Sequence, residues 1–219
     1  QKADTLNILE RKKLMFERKH KPQAIEGNSM DIDMTLNVRP NADFQLVIDP
    51  TVGDIIKGRG EGTLNLHINP RSNVFEMYGD YTITEGSYLF TLQNIINKRF
   101  IIENGSTIQW TGEPLDARLN INAVYKLKTS LQPLIGTSVS SGGGDMNLNR
   151  AVPVECIINL SDRLTHPTVT FDVKVPTADA EYQTIIANTL NTQSAIAEQF
   201  MFLLVTNSFH SATSGGGNN

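Results

Sequence analysis

Six apolar residues at strict period two constrain this chain more than any other feature: Leu115, Ala117, Leu119, Ile121, Ala123 and Tyr125, with Asp116, Arg118, Asn120 and Asn122 between them. Side chains of a strand alternate between faces, so this spacing turns one face toward apolar surroundings and the other toward water. One sheet face must therefore be covered or filled, and what covers it decides the function.

The same period recurs along the chain. Met30, Ile32, Met34, Leu36 and Val38 alternate with Asp31, Asp33, Thr35 and Asn37. Arg39-Pro40-Asn41 ends that run, because proline removes a ladder donor. Phe44–Ile48 predicts the next strand, closed by Asp49-Pro50. Residues 53–62, GDIIKGRGEG, read as a connection in which alternate glycines permit backbone angles that side chains forbid. Neither the Walker spacing nor the dinucleotide fingerprint is met there, and a strand follows (Leu64, Leu66, Ile68) rather than a helix. After turn residues 69–73 come short strands at hairpin spacing: Val74–Tyr78, Tyr81–Thr84, Ser87–Leu92, Arg99–Glu103 and Thr107–Trp110. Gly79-Asp80 and Glu85-Gly86 read as turns or bulges between them. Asn104-Gly105 is the strongest hairpin signal, a type I′ turn needing positive φ at both central residues. Strands joined by tight turns are antiparallel neighbours, so residues 29–176 read as a meander with a mobile loop near 126–151. Val152–Leu160 and Thr168–Val175 complete it.

The period then changes. Tyr182, Ile186 and Leu190, then Ile196, Phe200, Leu203 and Leu204, predict an amphipathic helical segment over 177–209. Asp179 and Glu181 suit a first turn, and the cap-forming Asn191-Thr192 predicts two helices or one kink. Residues 210–219 read as a disordered tail.

Composition narrows the function. With 39% hydrophobic and 19% charged residues the chain suits a folded protein, and no apolar run is long enough for a spanning helix. Its beginning at Gln1 and its Ser-Gly-rich end read as those of an excised piece, so the lack of a leader carries no information on compartment. Residues 1–28 form a basic segment, strand or helix, whose charge reads as a solvated surface. The strand aromatics share their alternation with Leu, Ile and Met and have no accompanying Lys or Arg stripe, so no nucleic-acid partner is expected. Cys156 is the single cysteine, excludes an intrachain disulfide, and reads as a small core residue. His20, His67, His166 and His210 are scattered, and no HExxH, CxxC, nucleophile elbow or EF-hand loop occurs. The expectation is a protein that is not an enzyme and needs no metal or cofactor.

Five runs carry a resemblance: Asp49-Pro50 with Gly53-Asp54; Gly58-Arg59-Gly60-Glu61-Gly62 leading into Leu64; Met77-Tyr78-Gly79-Asp80-Tyr81; Glu85-Gly86-Ser87-Tyr88; and Ile108-Gln109-Trp110-Thr111-Gly112-Glu113-Pro114-Leu115-Asp116-Ala117. In this order and spacing, residues 30–209 resemble the C-terminal domain of the TamB family of the translocation and assembly module. The later Gln199-Phe200-Met201-Phe202-Leu203-Leu204 is similar to the helical segment of Bacteroidetes-type members. The resemblance implies an all-β, elongated antiparallel meander curled into a taco-like half-pipe with an apolar interior, plus the C-terminal helical segment. It also implies a periplasmic location, with the full-length protein anchored in the inner membrane and reaching toward the outer membrane. The implied roles are phospholipid movement between the membranes and, with an outer-membrane barrel of the TamA/BamA type, outer-membrane biogenesis.

Two readings of the apolar face stay open. In one it is a groove that shields phospholipid acyl chains, lined by Leu64, Leu66, Ile68, Phe75, Met77, Tyr81, Ile83, Tyr88, Phe90, Leu92, Leu115, Leu119, Ile121, Tyr125, Val169, Phe171 and Val173. In the other the face is an ordinary closed core. The protein is then an assembly scaffold whose edge strands pair with a barrel or client.

Overall fold

The computed structural model describes residues 30–49, 51, 53–92, 95–136 and 147–211. They form one antiparallel sheet of nine strands with three helices. Two long strands are its spine: β3 (Asp54–Asn69) and β4 (Val74–Leu92). Each takes two short partners laid end to end. The short strands β1 (Ile32–Val38) and β2 (Asp43–Asp49) pair with the C-terminal and N-terminal halves of β3. On the other side, β5 (Ile96–Ile102) and β6 (Ser106–Gly112) pair with the C-terminal and N-terminal halves of β4. The strand β7 (Arg118–Ser130) bridges β5 and β6 and pairs along its length with β8 (Ala151–Arg163), which pairs with β9 (His166–Lys174).

This topology corrects two expectations about turns. Asn104-Gly105 does not make a hairpin: β5 and β6 both run antiparallel to β4 and follow one another in a single row. Only Gly105 has positive φ, +91°, and its N–H donates to the Ile83 carbonyl at 3.0 Å, so the turn is a jog fastened to β4. Arg39-Pro40-Asn41 makes the same kind of jog between β1 and β2. The segments Val74–Tyr78, Tyr81–Thr84 and Ser87–Leu92 are one strand of 19 residues, not three. A bulge at Thr84 lies between the pairs Arg59↔Glu85 and Gly60↔Ile83. It adds one residue and so moves the apolar phase from odd positions (Phe75, Met77, Tyr81, Ile83) to even ones (Tyr88, Phe90, Leu92) on the same face.

The glycine run is also a strand, the middle of β3, and Gly58, Gly60 and Gly62 keep ordinary negative φ. What they supply is space. A Cβ on Gly60 would lie 2.2 Å from the Thr82 carbonyl oxygen and 2.8 Å from the Tyr81 ring, and one on Gly58 would lie 2.4 Å from the Glu85 oxygen. Strands β3 and β4 thus approach more closely than side chains allow, as at a corner of a curled sheet.

The inner face, followed through the cross-strand pairs, is apolar from β1 to β9; the outer face is largely polar, with an apolar row of Ile101, Val124 and Ile157 across β5, β7 and β8. On the outside Thr35 Oγ1 donates to Asn65 Oδ1 at 2.8 Å and Thr63 Oγ1 to Asn37 Oδ1 at 3.0 Å. There Arg59 bridges Asp43 of β2 (2.6 Å) and Glu85 of β4 (3.2 Å).

Strand β7 extends through Ser130 and is followed by α1 (Gln132–Ile135), so the first part of the stretch expected as a loop near 126–151 is strand and helix, and residues 137–146 lie outside the described residues. Two capped helices close the chain. In α2 (Ala180–Thr189) the Asp179 carboxylate accepts from Tyr182 N at 3.0 Å, and in α3 (Gln193–Thr206) the Thr192 hydroxyl accepts from Ala195 N at 3.1 Å. Asn207, left-handed at φ 55°, ends α3. The basic segment at 1–28 and residues 212–219 of the expected tail lie outside the described residues.

Candidate functional site: an apolar half-pipe sealed at one end

The curl of the sheet is measured by rings on distant strands. Phe90 on β4 and Phe171 on β9 lie four strand rows apart, about 19 Å in a flat sheet, yet their centroids are 6.3 Å apart. The inner faces of these strands meet, and α3 closes what the curl leaves. Phe200 sits among Phe90, Phe100 and Phe171 at centroid distances of 6.4, 6.0 and 4.4 Å, and Leu203 and Leu204 are fully buried beside it. At this end the groove is a packed core that continues through Ile56, Ile158 and Tyr182.

At the other end, formed by β1, β6, the C-terminal half of β3 and the N-terminal halves of β4 and β9, no helix of the described residues covers the inner face. Met34 and Leu36 are exposed, as are Phe75 (42%) and Val169 (41%), while Leu66, Ile68 and Met77 are half-buried. The inner face is thus packed under α3 and mixed beyond it, where Leu64, Tyr81, Ile108 and Leu119 are buried while Met34, Leu36, Phe75 and Val169 are exposed.

The seventeen residues expected to line a groove are distributed over both parts. Leu64, Tyr81, Ile83, Tyr88, Phe90, Leu119, Ile121 and Val173 are buried. Leu66, Ile68, Met77, Tyr125 and Phe171 are half-buried, and Phe75, Leu92 and Val169 are exposed. Leu115 is the exception in position: it lies in a 3-10 turn, Pro114–Asp116, before β7 begins, and is 53% exposed. The first step of the six-residue alternation therefore belongs to a turn, where Pro114 carries the chain away from the sheet.

The tertiary structure adds residues to this face. Leu36 and Val38 of β1, Phe44 and Leu46 of β2, and Ile96, Phe100 and Ile102 of β5 join it through their cross-strand pairs. The alternation of β5 is present in the sequence but masked by Lys98, which occupies an inward register position opposite Phe90 and places its ammonium 5.4 Å from the Tyr125 ring.

Polar groups within the wall are few. The Asp54 carboxylate accepts from the Tyr88 hydroxyl and from Thr91 N, both at 2.8 Å. Burial pushes the Cys156 thiol up to about 12, leaving it protonated and inert as a nucleophile at neutral pH. Among the described residues no group of three or more His, Cys, Asp or Glu is placed to hold a metal ion, and no helix is long and apolar enough to cross a membrane. The chemistry open to such a surface is the shielding of apolar material from water.

No curated protein sequence matches the chain. The family model of the TamB C-terminal domain matches it over residues 2–219. With the curled antiparallel sheet and its one-sided apolar face, that match places the chain in the TamB C-terminal domain family, envelope proteins that act in outer-membrane assembly.

Proposed function

We propose that this chain is a segment of a periplasmic protein that carries phospholipid acyl chains along the open part of its half-pipe between inner and outer membranes, with headgroups left in water. The observation that supports this reading is the contrast along a single face. The inner face is filled by α3 at one end, whereas at the other Leu36, Phe75 and Val169 share the same apolar register and are exposed among the described residues, with Leu66 and Met77 half-buried beside them. A contiguous apolar surface rimmed by polar strand edges calls for an occupant. Contacts between hydrocarbon and such a wall are non-directional, so a chain can slide along it without a catalytic residue.

Photocrosslinking from Phe75 in cells, with native mass spectrometry of the purified chain, tests the reading. Phospholipid adducts and phospholipid-bound masses are expected; adducts confined to protein would overturn it.

A second reading is supported by β1. Among the described residues it pairs with β3 on one side and has no strand on the other, so a strand of a TamA/BamA-type barrel or a client could add to it. Crosslinks from Thr35 to a barrel strand, with Phe75 yielding no lipid, would favour this reading over the first.

A further inference from the structure

The open part of the half-pipe contains a recess with two polar features that a plain apolar wall does not require. Its walls include Leu36, Val38, Phe44, Leu64, Ile108 and Trp110, and its volume is about 610 Å³, within the range of small-ligand sites. The first feature is Arg39, which lies exposed at the rim, in the jog between β1 and β2. It has no ion-pair partner among the described residues. The carboxylate that shares the rim, Asp43, is committed to Arg59 at 2.6 Å. The second feature is Tyr81, part of the wall and 5% exposed, whose hydroxyl is buried with no hydrogen-bond partner among the described residues. The ring of Phe44 packs edge-on against it at 5.2 Å. A buried hydroxyl is ordinarily paired.

We propose that this recess seats one acyl chain of a phosphate-bearing lipid, with Arg39 taking the phosphate at the rim and the Tyr81 hydroxyl donating to the ester carbonyl once the Phe44 edge is displaced. This rests on the acyl-groove reading above and gives it a headgroup preference. The combination of groups at the recess argues for this occupant. A diacyl phospholipid carries hydrocarbon, ester carbonyl and phosphodiester, the counterparts of an apolar wall, a hydroxyl donor and a rim cation. A fatty acid places its anion directly on the chain and has no ester, and a diacylglycerol has the esters without the anion.

Trp110 lines the recess and is the single tryptophan of the chain, so its emission reports occupancy. The whole chain is titrated with monomeric dihexanoyl phosphatidylglycerol and with dihexanoylglycerol. The phosphate-bearing lipid is expected to bind roughly fivefold more tightly, the scale of one exposed charge contact. Arg39→Ala should make the two lipids bind alike, and Arg39→Lys should restore the preference. Tyr81→Phe should weaken both lipids several-fold without lowering the urea midpoint of unfolding. Equal affinities in the unaltered chain, or a preference that survives Arg39→Ala, overturn the role of Arg39; unchanged lipid affinity in Tyr81→Phe overturns that of Tyr81. If neither lipid gives a saturable change in Trp110 emission, the acyl-groove reading itself fails and the recess is left to polypeptide.

Discussion

The Phe200 ring of α3 lies 4.4 Å from the Phe171 ring of β9, and that contact marks off the packed part of the inner face from the exposed part at Phe75. Truncation should therefore be costly on one side of the division and cheap on the other. Phe200→Ala should destabilise the domain by about 3–5 kcal/mol, the range for an aromatic lost from a packed core. Phe75→Ala, on an exposed inner-face position, should stay within about 1 kcal/mol. Urea unfolding of both variants measures the difference, and similar losses would show that the open end is packed in solution.

A charge on the inner face should separate folding from lipid occupancy. Leu119 is buried, so Leu119→Asp places an unpaired carboxylate in the core and should prevent folding. Phe75→Asp should leave the circular dichroism spectrum intact and abolish phospholipid co-purification. Retained lipid in Phe75→Asp would place the occupied surface elsewhere.

Gly60 is needed for space. Gly60→Ala directs a methyl group at the Thr82 carbonyl and the Tyr81 ring, and should cost about 1–3 kcal/mol, as overpacking does. Tyr81→Leu should recover only part of that loss, because the closest atom belongs to the backbone. A neutral Gly60→Ala would mean that the spine strands separate without cost.

Cys156 should be silent to thiol reagents in the native chain at pH 8, where burial holds the thiol well above its ordinary range. One equivalent should react on unfolding in urea. Rapid modification without denaturant would reveal opening of the β7–β8–β9 core.

His67 Nδ1 lies 2.7 Å from Asp33 on the outer face, and that hydrogen bond raises the pKa of His67 above 6.5, against a smaller opposing effect of desolvation. A raised folded-state pKa means that the pairing contributes stability in full below pH 6.5 and loses it as pH rises through the folded value. Amide exchange in β1 should accordingly quicken as pH rises through that window, after correction for intrinsic exchange. Asp33→Asn should lower the His67 midpoint seen by NMR; an unchanged midpoint would show that the contact is not made in solution.

Much of the architecture was legible because period two is a local property. The alternation in β1, β8 and β9, the two apolar phases of β4, and the change to helical period at Tyr182 each follow from side-chain direction along a single element. The Thr192 cap was legible for the same reason, since capping is decided within a few residues. Three features were not. Asn104-Gly105 carries hairpin residues, but the row of β4 captures both flanking strands, and a turn cannot choose its partners. The Gly58–Gly62 run looked like a connection because glycine weakens a strand; its use is a close approach to β4, a strand distant in sequence. Lys98 hid the apolar phase of β5, because a long side chain can bury its stem and still carry its charge toward an aromatic face.

Sequence alone determined that one face of each strand is apolar, and that two helices or one kinked helix follow, because both depend on repeats within single segments. Only the tertiary structure decided that α3 packs on one end of that face and, among the described residues, leaves Leu36, Phe75 and Val169 exposed at the other. The placement of Phe200 among Phe90, Phe100 and Phe171 depends on how far the sheet curls, and the curl is set by contacts between strands far apart in the chain. The division between core and groove, and with it the seat proposed beside Arg39 and Tyr81, is a property of that closure.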